Sequence, residues 1–282
     1  MVDFRDDSDP LNIRLGNPDL KNIHRYTAEG SMTFRGGHQR ALRLSAGWGK
    51  TGNAVAYGLA FDKRTGISTT RPMSVNGNWN MNGGMGLTRA FGKDDKLSTD
   101  NELTVNYNHN ADLATTSSLP ERSIVNNWRM GGNLKLNYRP NDSYELTIHG
   151  GGTYNVIRSH REGFEDINAG DYNAGLNAVL NLPWHLQLTT DMTMYARRGY
   201  QSPAMNTTDW VWNAQLTRSL LRGSLVAKVQ GFDILHQLST TQYTVNEQGR
   251  TETWHNSIPR YAMLTISWRF NHNPKGIQTG FY

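Results

Sequence analysis

The sequence predicts an all-β protein, an antiparallel up-and-down transmembrane β-barrel with about eleven strands present as an incomplete part of a larger barrel. Three observations predict it. Apolar and polar residues alternate with a period of two over long stretches, the connections between those stretches alternate between short turns and long loops, and aromatic residues gather at both ends of the stretches.

The alternation is plainest from Asn127 to Arg139. Even positions carry Trp128, Met130, Gly132, Leu134, Leu136 and Tyr138, and odd positions carry Asn127, Arg129, Asn133, Lys135, Asn137 and Arg139. Period two means a strand with one apolar and one polar face. The pattern returns with Tyr144, Leu146, Ile148, Tyr154 and Val156 against Glu145, Thr147, His149, Thr153 and Asn155, after a turn-forming Pro140-Asn141-Asp142-Ser143. Continued along the chain, it gives strands over 22–35, 41–61, 74–91, 97–114, 126–139, 144–160, 171–182, 186–200, 210–221, 225–241 and 254–270.

The connections fall into two sets. Gly36 to Gln39, Gly92 to Lys96, Pro140 to Ser143, Pro183 to His185 and Leu221 to Ser224 are tight. Asp62 to Met73, Thr115 to Val125, Arg161 to Gly170, Gln201 to Asp209 and Gln242 to Thr253 are longer. Short turns at one rim and long loops at the other are the asymmetry of bacterial outer-membrane barrels, in which the short turns are periplasmic.

The aromatics read as two interfacial girdles. Phe34, Phe91, Tyr138, Tyr144, Trp184, Trp268 and Phe270 stand by the short turns, and Trp79, Trp128, Tyr154, Tyr172 and Trp210 by the long loops. Trp128 to Tyr138, and Tyr144 to Tyr154, are ten residues apart on one face. At about 3.3 Å per residue and a tilt of about 40° this spans about 25 Å, the height of a barrel's lipid band.

Composition agrees. The 282 residues have a mean hydropathy of -0.64 and 37% hydrophobic residues, and no apolar run approaches the length of a membrane-crossing helix. A barrel tolerates this, because only alternate residues meet lipid. The absence of cysteine removes disulfides, thiolate metal sites and cysteine nucleophiles. The net charge of +5 comes from scattered basic residues without a dense tract, so nucleic acid is not an expected partner.

The first twelve residues, MVDFRDDSDPLN, are charged and lack the apolar core of a secretory signal. The expectation is therefore that an export signal lies upstream. The odd strand count adds that barrel strands are missing on the same side, since bacterial barrels close with an even number. The expected organisation is an extracellular-side entry segment over 1–21, barrel strands over 22–270 and a tail over 271–282, with the C-terminus periplasmic.

The segment Asp9 to Lys21, DPLNIRLGNPDLK, resembles a motif of TonB-dependent outer-membrane receptors, in which a Gly-Asn-Pro-x-Leu-Lys run precedes a barrel strand; here the run is Gly16 to Lys21. Tyr261 to Phe270, YAMLTISWRF, looks like the closing strand of the same superfamily's outer-membrane β-barrel branch. Asn22 and Ile23 replace the familiar Pro-Glu after the lysine, and twelve residues follow Phe270. The resemblance implies the C-terminal barrel portion of a receptor that takes up a large or scarce solute through the outer membrane of a Gram-negative bacterium. It implies about 22 strands in all, a plug and a TonB box outside this chain, and as partners outer-membrane lipid, the TonB complex and a surface lipoprotein. A structural or adhesive barrel without transport is the alternative, and an outer-membrane enzyme a further one.

Catalytic and cofactor signatures are weak, and no enzyme activity, cofactor or metal is expected. Gly47-Trp48-Gly49-Lys50-Thr51-Gly52 is close to a phosphate loop but has Leu44 where a glycine is needed, and strand-forming residues follow. The histidines, among them His109, His149, His160, His185 and His236, lack metal-binding spacing. His160, Glu162, Glu165 and Asp166 in one loop, and Ser202 near Asp209 in another, select no nucleophile and base. By elimination the functional surface is the inward face, where Asn78, Asn80, Asn82, Glu102, Asn106, Arg129, Lys135, Gln187, Asp191, Gln215, Lys228 and Arg269 would meet water, a plug or a passing solute.

Overall fold

A computed structural model describes residues 3–269 apart from 38, 93, 116–119, 162–163, 240, 247–248, 256–257 and 259. Phe270, Glu162 and the tail 271–282 lie outside the described residues. The strands in chain order are β1 (Arg5–Asp6), β2 (Asn12–Leu15), β3 (His24–Gly36), β4 (Arg40–Gly52), β5 (Ala54–Asp62), β6 (Ile67–Val75), β7 (Asn78–Phe91), β8 (Leu97–Thr115), β9 (Pro120–Asn141), β10 (Tyr144–Ser159), β11 (Ile167–Leu182), β12 (Leu186–Arg198), β13 (Thr208–Leu220), β14 (Leu225–Phe232), β15 (Thr241–Asn246), β16 (Gly249–Trp254) and β17 (Tyr261–Trp268).

Eleven of them form one antiparallel sheet in the order β17-β14-β13-β12-β11-β10-β9-β8-β7-β4-β3. Its order follows the chain, as an up-and-down wall requires, and one strand of this wall corresponds to each of the eleven predicted. Among the described residues the sheet is not closed: β3 pairs only with β4, and β17 only with β14. Both edge strands run from the long-loop rim towards the short turns, so joining them would make a parallel pair. Antiparallel closure takes an odd number of further strands.

The period-two pattern is kept across every turn. The pairs Met32↔Leu44, Leu44↔Met85, Met85↔Leu103, Val105↔Met130, Leu134↔Gly150, Ile148↔Leu176, Leu176↔Met192, Leu188↔Leu216, Leu216↔Val229 and Val229↔Leu264 put the apolar sets of all eleven strands on one face. That face is uncovered, with Leu134 60% and Leu264 65% exposed. Such an apolar surface has no place in water and fits lipid.

The two aromatic belts cross the sheet obliquely, and their slope gives the strand tilt. Following paired residues to β9, Trp79 on β7 lies on the row of Asn126, while Trp210 on β13 lies on the row of Leu134. The belt thus slides eight residues over six strand steps; with about 3.3 Å per residue and about 4.8 Å between strands, the tilt is about 40°. The turn-side belt slides in the same sense, from the row of Leu134 at Phe34 to the row of Tyr138 at Phe91.

Several strand ends differ from expectation. The single strand predicted over 41–61 is broken at Asn53, whose φ is +52°, into β4 and β5. The strand predicted from 74 is broken before β7 at Gly77, with φ +112°. The predicted loop from Asp62 to Met73 is largely the β5–β6 hairpin, and Gln242 to Thr253 forms most of the β15–β16 hairpin. β14 ends at Phe232 instead of 241, because Asp233 adopts φ +45° and its carboxylate accepts from the Gln237 and Leu238 amides. β17 begins at Tyr261, not 254.

The described part of the entry segment, residues 3–21, also carries regular structure. β1, β2, β6 and β5 form a four-stranded sheet, with β2 parallel to β6. The Gly16–Lys21 run fastens it: buried Asn17 donates from Nδ2 to the Pro72 carbonyl at 2.8 Å, and the Lys21 amide donates to Ser74 Oγ at 3.0 Å. The sheet leans on the outer ends of β8 and β9, where a Cβ on Gly58 would lie 3.1 Å from Pro120.

Candidate functional site: the polar face and its outer rim

Strand register assigns each expected site residue to a face. Asn78, Asn80, Asn82, Glu102, Asn106, Arg129, Lys135, Gln187, Asp191, Gln215 and Lys228 all lie on the face opposite the apolar one. Arg269 follows β17 in the same alternation, its amide donating to the Ser224 carbonyl. Ten of the expected interfacial aromatics, Phe34, Trp79, Phe91, Trp128, Tyr138, Tyr144, Tyr154, Tyr172, Trp210 and Trp268, stand on the apolar face. Trp184 does not occupy a strand: it is in the β11–β12 turn, with φ +62° and 77% exposure.

The polar residues form a network spread along the wall. Asn213 donates to Asp191 at 2.8 Å, Gln230 to Gln215 at 2.9 Å, Gln187 to Asn181 at 2.9 Å and Thr147 to Asn137 at 3.0 Å. Asn82, Asn106 and Arg129 lie side by side on one row, and Asn78 accepts from the Ala111 amide. Glycines on neighbouring strands let several of these side chains lie flat. A Cβ on Gly49 would meet Asn80 Oδ1 at 2.7 Å, one on Gly131 would meet Thr104 Oγ1 at 2.7 Å, and one on Gly175 would meet the His149 ring at 2.7 Å. The polar face is therefore smooth, with its hydrogen-bonding groups turned along the sheet. Gly47 to Gly52 lies within β4, with Gly47, Gly49 and Thr51 on this surface and Trp48 and Lys50 on the apolar one.

Two clusters on this face escaped the sequence reading. His149 Nε2 is 3.4 Å from Thr193 Oγ1 across Gly175. At the outer rim Arg197 donates to Asp171 at 2.8 Å, and the Tyr200 hydroxyl donates to the other Asp171 oxygen at 2.9 Å. Burial pushes the Tyr200 phenol above its ordinary pKa; the neighbouring Arg197 opposes this and the bond donated to Asp171 adds to it. Asp171 and Arg197 share a face and a row, a signal present in the sequence once register is known.

Outer segments fold over the polar face. Met205, in the loop after β12, is buried, as are Ile157 and Ala169 on that face. Beside the entry sheet, Arg25, Asn78, Asp112, Ser123 and Arg161 contribute to a cavity of about 370 Å³, with Ala56 and Val75 also in its wall. The Ser123 hydroxyl there is buried and has no hydrogen-bond partner among the described residues. No group of three His, Asp or Glu side chains able to hold a metal ion occurs among the described residues.

Charge divides between the faces. The acids of the wall strands are Glu29, Asp100, Glu102, Asp112, Glu121, Glu145, Asp171, Asp191 and Asp209, and every one falls on the polar face. The apolar face has only cations, Lys50, Arg122, Arg158 and Arg198 towards the long loops and Arg40, Arg89 and Arg218 towards the short turns. Between those two groups lies an uncharged band bounded by the aromatic belts.

A wall of tilted antiparallel strands with an uncharged, aromatic-edged face and a charged opposite face defines a transmembrane β-barrel protein. Residues 122–268, more than half of the chain, match the model of the outer membrane protein beta-barrel family, and the chain belongs to that family. Its place is the cell outer membrane. Among solved structures it is similar to a protein described as the copper transporter OprC, at 12% identity and a TM-score of 0.49, over 74% of this chain and 36% of that one. The chain thus spans about a third of that transporter's length. No curated protein matches it.

Proposed function

We propose that the chain is the wall of a transport barrel, part of a TonB-dependent receptor that takes up a large or scarce solute, with the short turns and the C-terminus periplasmic. The observation that carries this reading is the open eleven-strand wall with a continuous hydrogen-bonding face. Its edge strands run the same way, so antiparallel closure makes a wider barrel than eleven strands, and wide barrels enclose an aqueous lumen or a plug. The Gly16–Lys21 run supports the receptor class by resemblance, and it supports the plug, the TonB complex and a surface lipoprotein as partners. The polar side chains spread along the face suit solvation, a plug or a passing solute better than a chemical step, and the reading assigns no enzyme activity.

The test is uptake by cells with and without the full-length protein. Solutes removed from defined medium only when the protein is present, and no longer removed after a protonophore collapses the inner-membrane gradient, support energised transport. Solute entry that the protonophore leaves unchanged contradicts it.

A further inference from the structure

We infer that the outer end of the apolar face is a binding surface for phosphate-bearing headgroups of outer-leaflet lipid, formed by Lys50, Arg122, Arg158 and Arg198 above the aromatic belt. The inference rests on the proposed orientation, with long loops outward.

The four cations occupy lipid-side positions on β4, β9, β10 and β12, each just outward of the belt or of its apolar neighbours. Lys50 follows Trp48 by two residues, Arg158 follows Tyr154 by four and Arg198 follows Met194 by four. Four residues along a strand tilted by about 40° rise about 10 Å, which takes a side chain from the aromatic belt into the headgroup layer. None of the wall's acids shares this face, so the positive potential is uncancelled along the strands. One loop acid approaches: Asp166 pairs with Arg158 at 3.3 Å, with both side chains about half exposed.

The two arginines towards the C-terminal side are held in place by neutral acceptors, with Asp166 in addition at Arg158. Arg158 donates from Nη2 to Asn168 at 2.7 Å and from Nη1 towards the carbonyls of Ile157 and Ile167. Arg198 donates to the carbonyls of Arg197 and Thr207 and to the Thr208 hydroxyl. Carbonyl and hydroxyl bonds orient the Arg198 guanidinium without neutralising it, leaving its charge to the surface, while the half-exposed Asp166 offsets part of the charge of Arg158. Arg198 lies on the row of Tyr154, two strands and four residues from Arg158, which sets the two backbones about 16 Å apart, a span that two extended side chains reach across to hold two phosphates of one lipid. The belt below presents polar tips at the same boundary: the Tyr107 hydroxyl donates to Asn126 at 2.8 Å and the Trp79 and His109 rings stack.

The experiment follows thermal unfolding of the full-length protein in neutral detergent, titrated with bisphosphorylated lipid A, with phosphatidylethanolamine, or with inorganic phosphate. Lipid A is expected to raise Tm by several degrees and the other two to have little effect. Arg158→Gln with Arg198→Gln should remove most of that rise, Arg158→Lys with Arg198→Lys should keep part of it, and Arg89→Gln with Arg218→Gln at the short-turn end should keep it whole. A full rise in the glutamine pair overturns the inference, and so does an equal rise with inorganic phosphate. Should the glutamine pair unfold without lipid, Lys50→Gln supplies the same comparison on a residue with no role in pinning a loop. Protease cleavage of a tag in the 199–207 loop on intact cells tests the orientation separately, so its failure is distinguishable from failure of lipid binding.

Discussion

Leu134 and Asn133 are adjacent on β9 and belong to opposite faces, so an arginine at each is a controlled comparison of the two environments. Leu134 is 60% exposed on the apolar face, four residues from Tyr138 and six from Trp128. At about 3.3 Å per residue and a tilt of about 40°, it lies about 10 Å from one belt and about 15 Å from the other, close to the middle of the lipid band. Arginine near the midplane costs about 2–4 kcal/mol. Asn133 lies over Gly151 on the face with the charged residues, where arginine can rise into water at a cost of less than about 1 kcal/mol. Urea unfolding of the full-length protein in phospholipid vesicles should show that difference between Leu134→Arg and Asn133→Arg. Equal costs at the two positions would refute the assigned register.

Further outcomes follow from local geometry. A Cβ at Gly175 would lie 2.6 Å from the Met192 carbonyl and against His149, so Gly175→Ala should destabilise by about 1–3 kcal/mol in the same assay, while Gly37→Ala, with open space around it, should be near neutral. Asn17→Ala removes a buried donor to Pro72 and should loosen the entry sheet by about 1–2 kcal/mol, read as faster hydrogen exchange over β2 and β6 with the wall strands unchanged. The Tyr200 phenol holds its proton more tightly folded than unfolded, so its contribution is present below about pH 10 and lost as pH rises through the raised value. The tyrosinate absorbance of the wild type minus that of Tyr200→Phe should therefore titrate late; a midpoint at or below the ordinary value would contradict the burial argument.

The wall was legible because lipid and water impose opposite demands on alternate residues, and that demand runs unbroken from Asn127 to Arg139 and from Tyr144 to Val156. Strand ends above the membrane were less so. Val55, Tyr57, Leu59 and Phe61 continue an alternation that resembles the wall's, yet Asn53 has turned the chain into a separate sheet through a positive φ that Asn tolerates. Period two does not distinguish a strand in lipid from one above it. At β14 the alternation gave no stop, because the stop is made by Asp233 capping amides further along. The Asp171–Arg197 pair and the one-signed charge of the apolar face depend on register across turns. The apolar parity is even in β9 and odd in β8, so these features emerge only after each turn has been counted correctly.

Because the chain contains no cysteine, single cysteines placed one at a time from Trp128 to Tyr138 can each carry a nitroxide label. In the membrane-embedded full-length protein, collision rates with oxygen should be high at Trp128, Met130, Leu134, Leu136 and Tyr138, with the greatest depth near Leu134. Collision with a water-soluble nickel chelate should be high at Arg129, Asn133, Lys135 and Asn137. Alternation of the two with a period of two is the predicted result; oxygen and chelate profiles that do not alternate would contradict a lipid-facing wall.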